Sequence, residues 1–280
     1  MKIGVVGNGF VGQSTRLLGC DSVEVIVYDI VPDKCIPVGT TLEDIGSCDI
    51  AFVCVPTPSS KDGTCHTGFV KSVVDDLNSV KQDHCDVIIR STVPPGTSKQ
   101  LGCNHMPEFL REKSWKNDFI TSKEWVIGCN DIKDLHFHDK ISLLFTLAKE
   151  NKSIQSDEVY FVSSETSEML KYTKNSYLAV KVSFFNEIES LCQKLGVDFE
   201  EIRSLLVLDD RITESHTHVP GHDDKKGYGG TCLPKDILAL CRVFEDNKIE
   251  PIILGSSVKR NTEVDRPEKD WEMDKNRAVL

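Results

Sequence analysis

The segment Gly7-Asn8-Gly9-Phe10-Val11-Gly12 constrains this chain more than any other, because of what flanks it. A strand-like run, Ile3–Val6, leads into it, and a helix-like stretch, Gly9–Leu18, leads out. Glycines at the first, third and sixth positions of such a junction serve three needs: a tight turn, an unobstructed backbone, and close packing of helix on strand. The same alternation continues downstream. Short runs rich in Val and Ile (Val23–Asp29, Asp49–Val55, Asp86–Ser91, Trp125–Cys129) alternate with helix-like stretches at Thr67–Val80, Gly96–Leu101 and Lys140–Glu150. Strands of that composition are buried on both faces, as in a parallel sheet covered by helices. The first half of the chain is therefore expected to be an α/β domain on a doubly wound parallel sheet.

In that setting the glycine turn is a cradle for a dinucleotide, and the domain is Rossmann-like. The helix N-terminus offers N–H donors and a positive dipole end to a pyrophosphate, with Gly7, Gly9, Phe10, Val11 and Gly12 around it. Asp29 ends the second strand, where a carboxylate bonds both ribose hydroxyls and repels a 2′-phosphate, so NAD is expected rather than NADP. The competing reading is a tight turn with no ligand. Val55-Pro56-Thr57-Pro58 and Ser91–Gly96 follow two further strands, whose carboxyl ends line the ligand crevice in such folds. That places Thr57 and Thr92 on a cofactor and substrate rim, unless both segments are ordinary proline turns.

The pattern changes near residue 160. One more strand, Val159–Ser163, precedes a long helical run from Glu165 to Leu195, apolar on more than one face. Such a helix is buried at the centre of a domain or in an oligomer interface, here expected to be a homodimer. A shorter helix at Asp198–Leu208, a polar loop from Asp209 to Gly230 and a helix at Leu233–Glu245 follow. The expected division is a Rossmann-like domain over 1–155, an all-helical domain over 156–262 and a charged tail over 263–280 that frays.

Several side chains are candidates for chemistry. Glu108 and Glu112 lie four apart and share a face if that stretch is helical, as base and substrate holder or simply as a solvated surface. Lys171 and Asn175, also four apart on the long helix, could bind an oxyanion. Three glycines, Gly227, Gly229 and Gly230, lead to Cys232 just before a helix, and Asp236 falls one turn on. A thiol at a helix N-terminus is activated toward thiolate; a buried thiol after a glycine turn is the plainer alternative. His216, His218 and His222 read as solvated loop residues rather than metal ligands, and no metal is expected.

With 33 basic against 44 acidic residues, the formal charge of −11 argues against a nucleic-acid binder. The 11 cysteines are irregularly spaced and form no C-x-x-C pair, which suits small core thiols in a reducing cytoplasm. No stretch approaches the ~20 apolar residues of a membrane span, and no leader is expected ahead of the first strand.

Taken in order, these segments resemble the UDP-glucose/GDP-mannose dehydrogenase family. The likeness rests on the N-terminal glycine turn, Ser91-Thr92-Val93-Pro94, Pro107-Glu108-Phe109-Leu110-Arg111-Glu112, the helix with Lys171, Asn175, Asn186 and Glu187, and Gly229-Gly230-Thr231-Cys232-Leu233-Pro234-Lys235-Asp236. It runs from residue 1 to about 262. The resemblance implies a 6-phosphogluconate-dehydrogenase-like helical domain and NAD-dependent oxidation of a nucleotide sugar's primary alcohol, UDP-glucose favoured, to a carboxylate. Two hydrides leave in turn. By that likeness Cys232 forms a thiohemiacetal and then a thioester. Lys171 and Asn175 stabilise the oxyanion, Asp236 and Thr92 hold water, and Glu112 serves hydrolysis. Glu108, Arg211 and Gly229 are assigned to the substrate, with Arg211 reaching across a dimer.

Three departures stand out. The stretch between Asp29 and Asp49 is short, the loop Thr213–Lys226 is rich in His and Asp, and the residues after Lys259 are not expected to replace the family's third, nucleotide-gripping domain. The sequence thus leaves open a chain served by a separate nucleotide-binding partner, a degenerate NAD-binding dimer without turnover, and a two-electron β-hydroxyacid dehydrogenase. The cofactor expectation is directly testable. Isothermal titration should show NAD bound more tightly than NADP, and Asp29→Ala should weaken NAD and narrow that gap. Equal affinity of the unaltered chain for both would refute the role of Asp29.

Overall fold

Side chains of the first strand leave its two faces in alternation, and each face finds its own core. A computed structural model describes residues 1–60, 62–275 and 277–280. In β1 (Lys2–Val6), Ile3 and Val5 join one buried cluster and Val6 joins another. In β3 (Ile50–Val53), Ile50 and Phe52 again go one way, Ala51 and Val53 the other. Strands apolar at every position are the consequence of helices on both faces.

The chain divides into two compact units. The first comprises residues 1–57 and 67–171. Its elements are β1, α1 (Phe10–Thr15), β2 (Glu24–Tyr28), α2 (Leu42–Gly46), β3, α3 (Gly68–Val80), β4 (Asp86–Ile89), α4 (Thr97–Gln100), β5 (Asn104–His105), α5 (Trp115–Ile120), β6 (Trp125–Cys129), α6 (Leu135–Glu150), β7 (Val159–Ser163) and the opening turns of α7 (Ser164–Leu195). The sheet order is β2-β1-β3-β4-β5-β6-β7. Strand order reverses between β1 and β3, the point where such sheets bind ligands. Helices α5 and α6 cover one face through Phe119, Phe137, Ile141 and Phe145. Helices α2 and α3 cover the other through Ile45, Val70, Val74 and Leu77.

The second unit comprises residues 58–66 and 172–280. It contains the remainder of α7, α8 (Phe199–Leu206), α9 (Leu233–Asp246) and α10 (Ile252–Arg260), followed by a π-helical turn at Asn261–Asp265. Ala179, Tyr228 and Ile237 form one buried cluster, and Phe185, Cys192 and Phe199 form another.

The structure differs from the sequence reading in several places. The sheet is not wholly parallel, because β5 pairs antiparallel with β6 through His105 and Gly128. Helix α6 starts at Leu135 rather than Lys140, with the Asp134 carboxylate accepting from the Phe137 amide at 3.0 Å. The compact units part at 171/172, inside α7, rather than near 155. Nor do residues 263–280 behave as a frayed charged tail. Arg266, Trp271 and Ala278 are buried, and the Ser59 amide donates to the Ala278 carbonyl at 2.8 Å. Charge content misled there because those charges pair with one another: Arg266 binds Asp223 and Asp270.

Candidate active site

The three glycines of the first turn differ in what surrounds them. Gly7 has φ of +94°, and a Cβ there would lie 2.6 Å from the Cys54 carbonyl oxygen. A Cβ on Gly12 would lie 1.9 Å from the Gly7 carbonyl oxygen. Gly9 faces open space, with nothing within 4 Å of its would-be Cβ. Two glycines therefore close the turn, while the third leaves room for a ligand at the uncapped start of α1. Asp29, just past β2, accepts from the Asn8 amide at 2.7 Å and from the Val31 amide at 2.9 Å, one bond to each carboxylate oxygen. Each oxygen keeps a lone pair for a ribose hydroxyl. These residues fit a dinucleotide.

The rim beyond β3 and β4 is tied together by Ser91, whose hydroxyl donates to the Val55 carbonyl at 2.6 Å. Thr57 and Thr92 are buried there. The rim is also held from α7. Glu168 is fully buried, and its carboxylate accepts from the Gly96 amide at 2.5 Å and the Ser98 amide at 2.7 Å. One turn on, Lys171 donates to the Glu108 carboxylate at 2.7 Å and to the Glu108 carbonyl oxygen. Burial pushes the Glu108 carboxyl up, but the Lys171 charge and hydrogen bond and the Leu110 amide outweigh it, leaving the group below the usual carboxylate range. Burial also drives His105 down to about 3, so it is a neutral partner of Ser167, with Nδ1 and Oγ 2.8 Å apart.

In the second unit, Asn175 donates to the Asp236 carboxylate at 2.6 Å, and Lys235 binds the other oxygen of the same group. Burial works against the Lys235 ammonium, yet Asp236 and the thiols of Cys232 and Cys65 hold its affinity for a proton above that of an ordinary lysine. Cys232 occupies the N-cap position of α9, with Thr231 Oγ1 at 3.7 Å from its sulfur. The Asp236 amide closes the first turn onto the Cys232 carbonyl at 3.0 Å.

Residues 36–146 match the UDP-glucose/GDP-mannose dehydrogenase family NAD binding domain, and residues 165–263 match that family's central domain. The chain belongs to the UDP-glucose/GDP-mannose dehydrogenase family. It is 33% identical over 235 residues to UDP-glucose 6-dehydrogenase of Rickettsia typhi, covering 78% of this chain and 50% of that one. The chain thus spans about half the length of the curated relatives it matches. A UDP-glucose dehydrogenase structure from Pyrobaculum islandicum superposes with TM-score 0.78 at 25% identity, over 93% of this chain and 67% of that one. A 3-hydroxyisobutyrate dehydrogenase from Mycobacterium tuberculosis shares the fold, with TM-score 0.70 at 14% identity, over 99% of this chain and 96% of that one.

The family's motif residues fall into separate hydrogen-bonded groups here. Lys171 joins Glu108, while Asn175 joins Asp236 and Lys235, so the two helix residues four apart serve different carboxylates. The stretch from Pro107 to Arg111 forms no helix, which removes the shared helix face of Glu108 and Glu112. Glu108 is buried and Glu112 exposed. Arg211 is exposed and paired with Asp209, outside both groups. Glu168 escaped the sequence reading, although its place one turn before Lys171 was visible. Groups of three or more potential metal ligands do not occur among the described residues, and no helix among them is long and apolar enough to cross a membrane.

The ion pair gives a pH prediction. The folded-state affinity of Glu108 for a proton is lowered, so its contribution is complete above the ordinary carboxylate value and fades as pH falls through the lowered one. Glu108→Gln leaves the Lys171 ammonium buried without its counter-charge and should cost about 3–5 kcal/mol at neutral pH. Urea unfolding should show that gap shrinking as pH falls below the ordinary carboxylate range. A gap that stays constant would mean the pair is not its source.

Proposed function

We propose that this chain carries the catalytic residues for NAD-dependent oxidation of a nucleotide sugar's primary alcohol to the uronic acid, with UDP-glucose the favoured substrate. The carrying observation is Cys232 at the head of α9, one turn from an Asp236 that is itself held by Asn175 and Lys235. Relatives that are UDP-glucose 6-dehydrogenases support the sugar class. NAD, held by the glycine turn and Asp29, would supply the hydride acceptor for two successive oxidations. In the first, the alcohol becomes an aldehyde and its hydroxyl proton passes to water. The Cys232 thiolate then adds to the aldehyde carbon, and Lys171 and Asn175 stabilise the resulting oxyanion. Oxidation of that thiohemiacetal gives a thioester. Water, the charge of Asp236, Thr92 and Glu112, cleaves it to the carboxylate and frees the thiol. The sum consumes one alcohol, two NAD and one water, and yields one carboxylate, two NADH and three protons.

Cys232→Ser should separate the two oxidations, because a serine hydroxyl is far less ionised than a thiol at a helix N-terminus. A single slow turnover of NADH is expected from the variant, against two NADH per UDP-glucose from the unaltered chain. Two NADH per sugar from Cys232→Ser would remove the thiol from the mechanism. One NADH from the unaltered chain would favour a two-electron hydroxyacid dehydrogenase, the class whose fold covers almost the whole chain. None, with firm NAD binding, would point to a binding protein.

We also propose that two copies pair through α7. Leu170, Tyr177, Phe184 and Leu191 follow one another at seven-residue steps along it, and the last three are each more than half exposed. A seven-residue repeat keeps such a stripe on one side of a helix, where a second copy can cover it. Tyr177→Glu combined with Phe184→Glu should convert a dimer to a monomer in sedimentation. A monomeric unaltered chain at high concentration would overturn the pairing.

A further inference from the structure

We infer that Asn261, backed by Arg266, is a positioning residue for Cys232: it fixes the glycine segment that delivers the thiol to the start of α9. The inference rests on the proposed role of Cys232 as nucleophile, but the structural argument is independent of the substrate. Glycine-rich segments are conformationally loose by default, so a nucleophile at the end of one needs external fixing. Here the fixing comes from two side-chain amides. The Tyr228 amide donates to Asn261 Oδ1 at 2.8 Å, and Asn261 Nδ2 donates back to the Tyr228 carbonyl at 3.0 Å. The Gly227 amide donates to Asn186 Oδ1 at 3.1 Å. Asn261 is fully buried, so these backbone groups have no water to fall back on.

Contact distances explain why the segment is glycine-rich. At Gly227, φ is +68° and a Cβ would lie 2.3 Å from Asn261 Oδ1. At Gly229 a Cβ would lie 2.4 Å from Arg266 Cζ. The backbone is laid directly on the amide and the guanidinium. Arg266 is itself immobilised, with Nε and Nη2 each 2.7 Å from the two carboxylate oxygens of Asp270, and Nη1 2.7 Å from Asp223. Asn261 and Arg266 are the two ends of one π-helical hydrogen bond, from the Arg266 amide to the Asn261 carbonyl at 2.8 Å. Such a widened turn is uncommon and recurs at functional sites; here both of its end residues meet the glycine segment.

The test reads the thiol rather than the sugar. Site-resolved mass spectrometry follows iodoacetamide labelling of Cys232 relative to Cys20, a partly exposed thiol of the first unit. Asn261→Ala should slow Cys232 labelling at neutral pH by about fivefold or more, because a thiol displaced from a helix N-terminus loses its activation. Hydrogen exchange at Gly227 and Tyr228 should accelerate in parallel. Asn186→Ala, which removes a single bond to the same segment, should act in the same direction and more weakly, and it carries the test should Asn261→Ala not fold. Cys192→Ala, in the separate Phe185–Phe199 cluster, supplies a control destabilised without touching the segment. An unchanged or faster Cys232 ratio in a folded Asn261→Ala or Asn186→Ala chain, or an equal slowing in Cys192→Ala, overturns the proposal. Labelling needs no nucleotide sugar. A chain that shows the expected thiol response but makes no NADH loses the functional reading alone.

Discussion

A lysine buried to 3% exposure cannot remain an ammonium without a carboxylate, and the arrangement of the first unit answers that demand at Lys171. Glu108 supplies the charge, from an irregular segment just past β5. One turn earlier, Glu168 spends its carboxylate on the backbone amides of Gly96 and Ser98. Two successive turns of α7 therefore hold two segments that follow β4 and β5. Removing either carboxylate would leave buried donors facing nothing, which costs far more than the pairs gain over an apolar packing. Such pairs define a place more than they add stability.

The second unit repeats the principle with different chemistry. Asp236, buried to 1%, has its two oxygens divided between an amide and an ammonium. Lys235 keeps its positive charge between Asp236 and the sulfurs of Cys232 and Cys65. The glycine segment ahead of Cys232 contributes no side chains of its own at positions 227, 229 and 230, so its shape is imposed by Asn186, Asn261 and Arg266.

Much of the fold could be read from periodicity. Trp125–Cys129 and Val159–Ser163 are strands with the bounds that their apolar runs suggest, and the long helix spans Ser164–Leu195. Asn104–His105 could not be read that way, since a two-residue strand has no period. Helix α2 was legible in principle: Thr41 and Asp44 form a reciprocal capping box, a signal that its brevity concealed. The motif residues were legible as types and spacings, but their partners were not. Four-residue spacing put Lys171 beside Asn175, whereas tertiary contacts sent them to different carboxylates. Arg266 lies in the stretch read as a charged tail, because pairing between residues 223, 266 and 270 leaves no mark on local composition.

The three glycines of the first turn stand under unequal steric constraint. A side chain at Gly7 or Gly12 collides with backbone, so such a chain is lost by misfolding and removed by cellular quality control. A Cβ at Gly9 meets nothing within 4 Å. That change would pass as a sound fold and be visible only to the ligand it excludes. Blindness to cofactor is thus one substitution away from a stable protein, and drift from enzyme to scaffold could begin at Gly9 without any intermediate that unfolds.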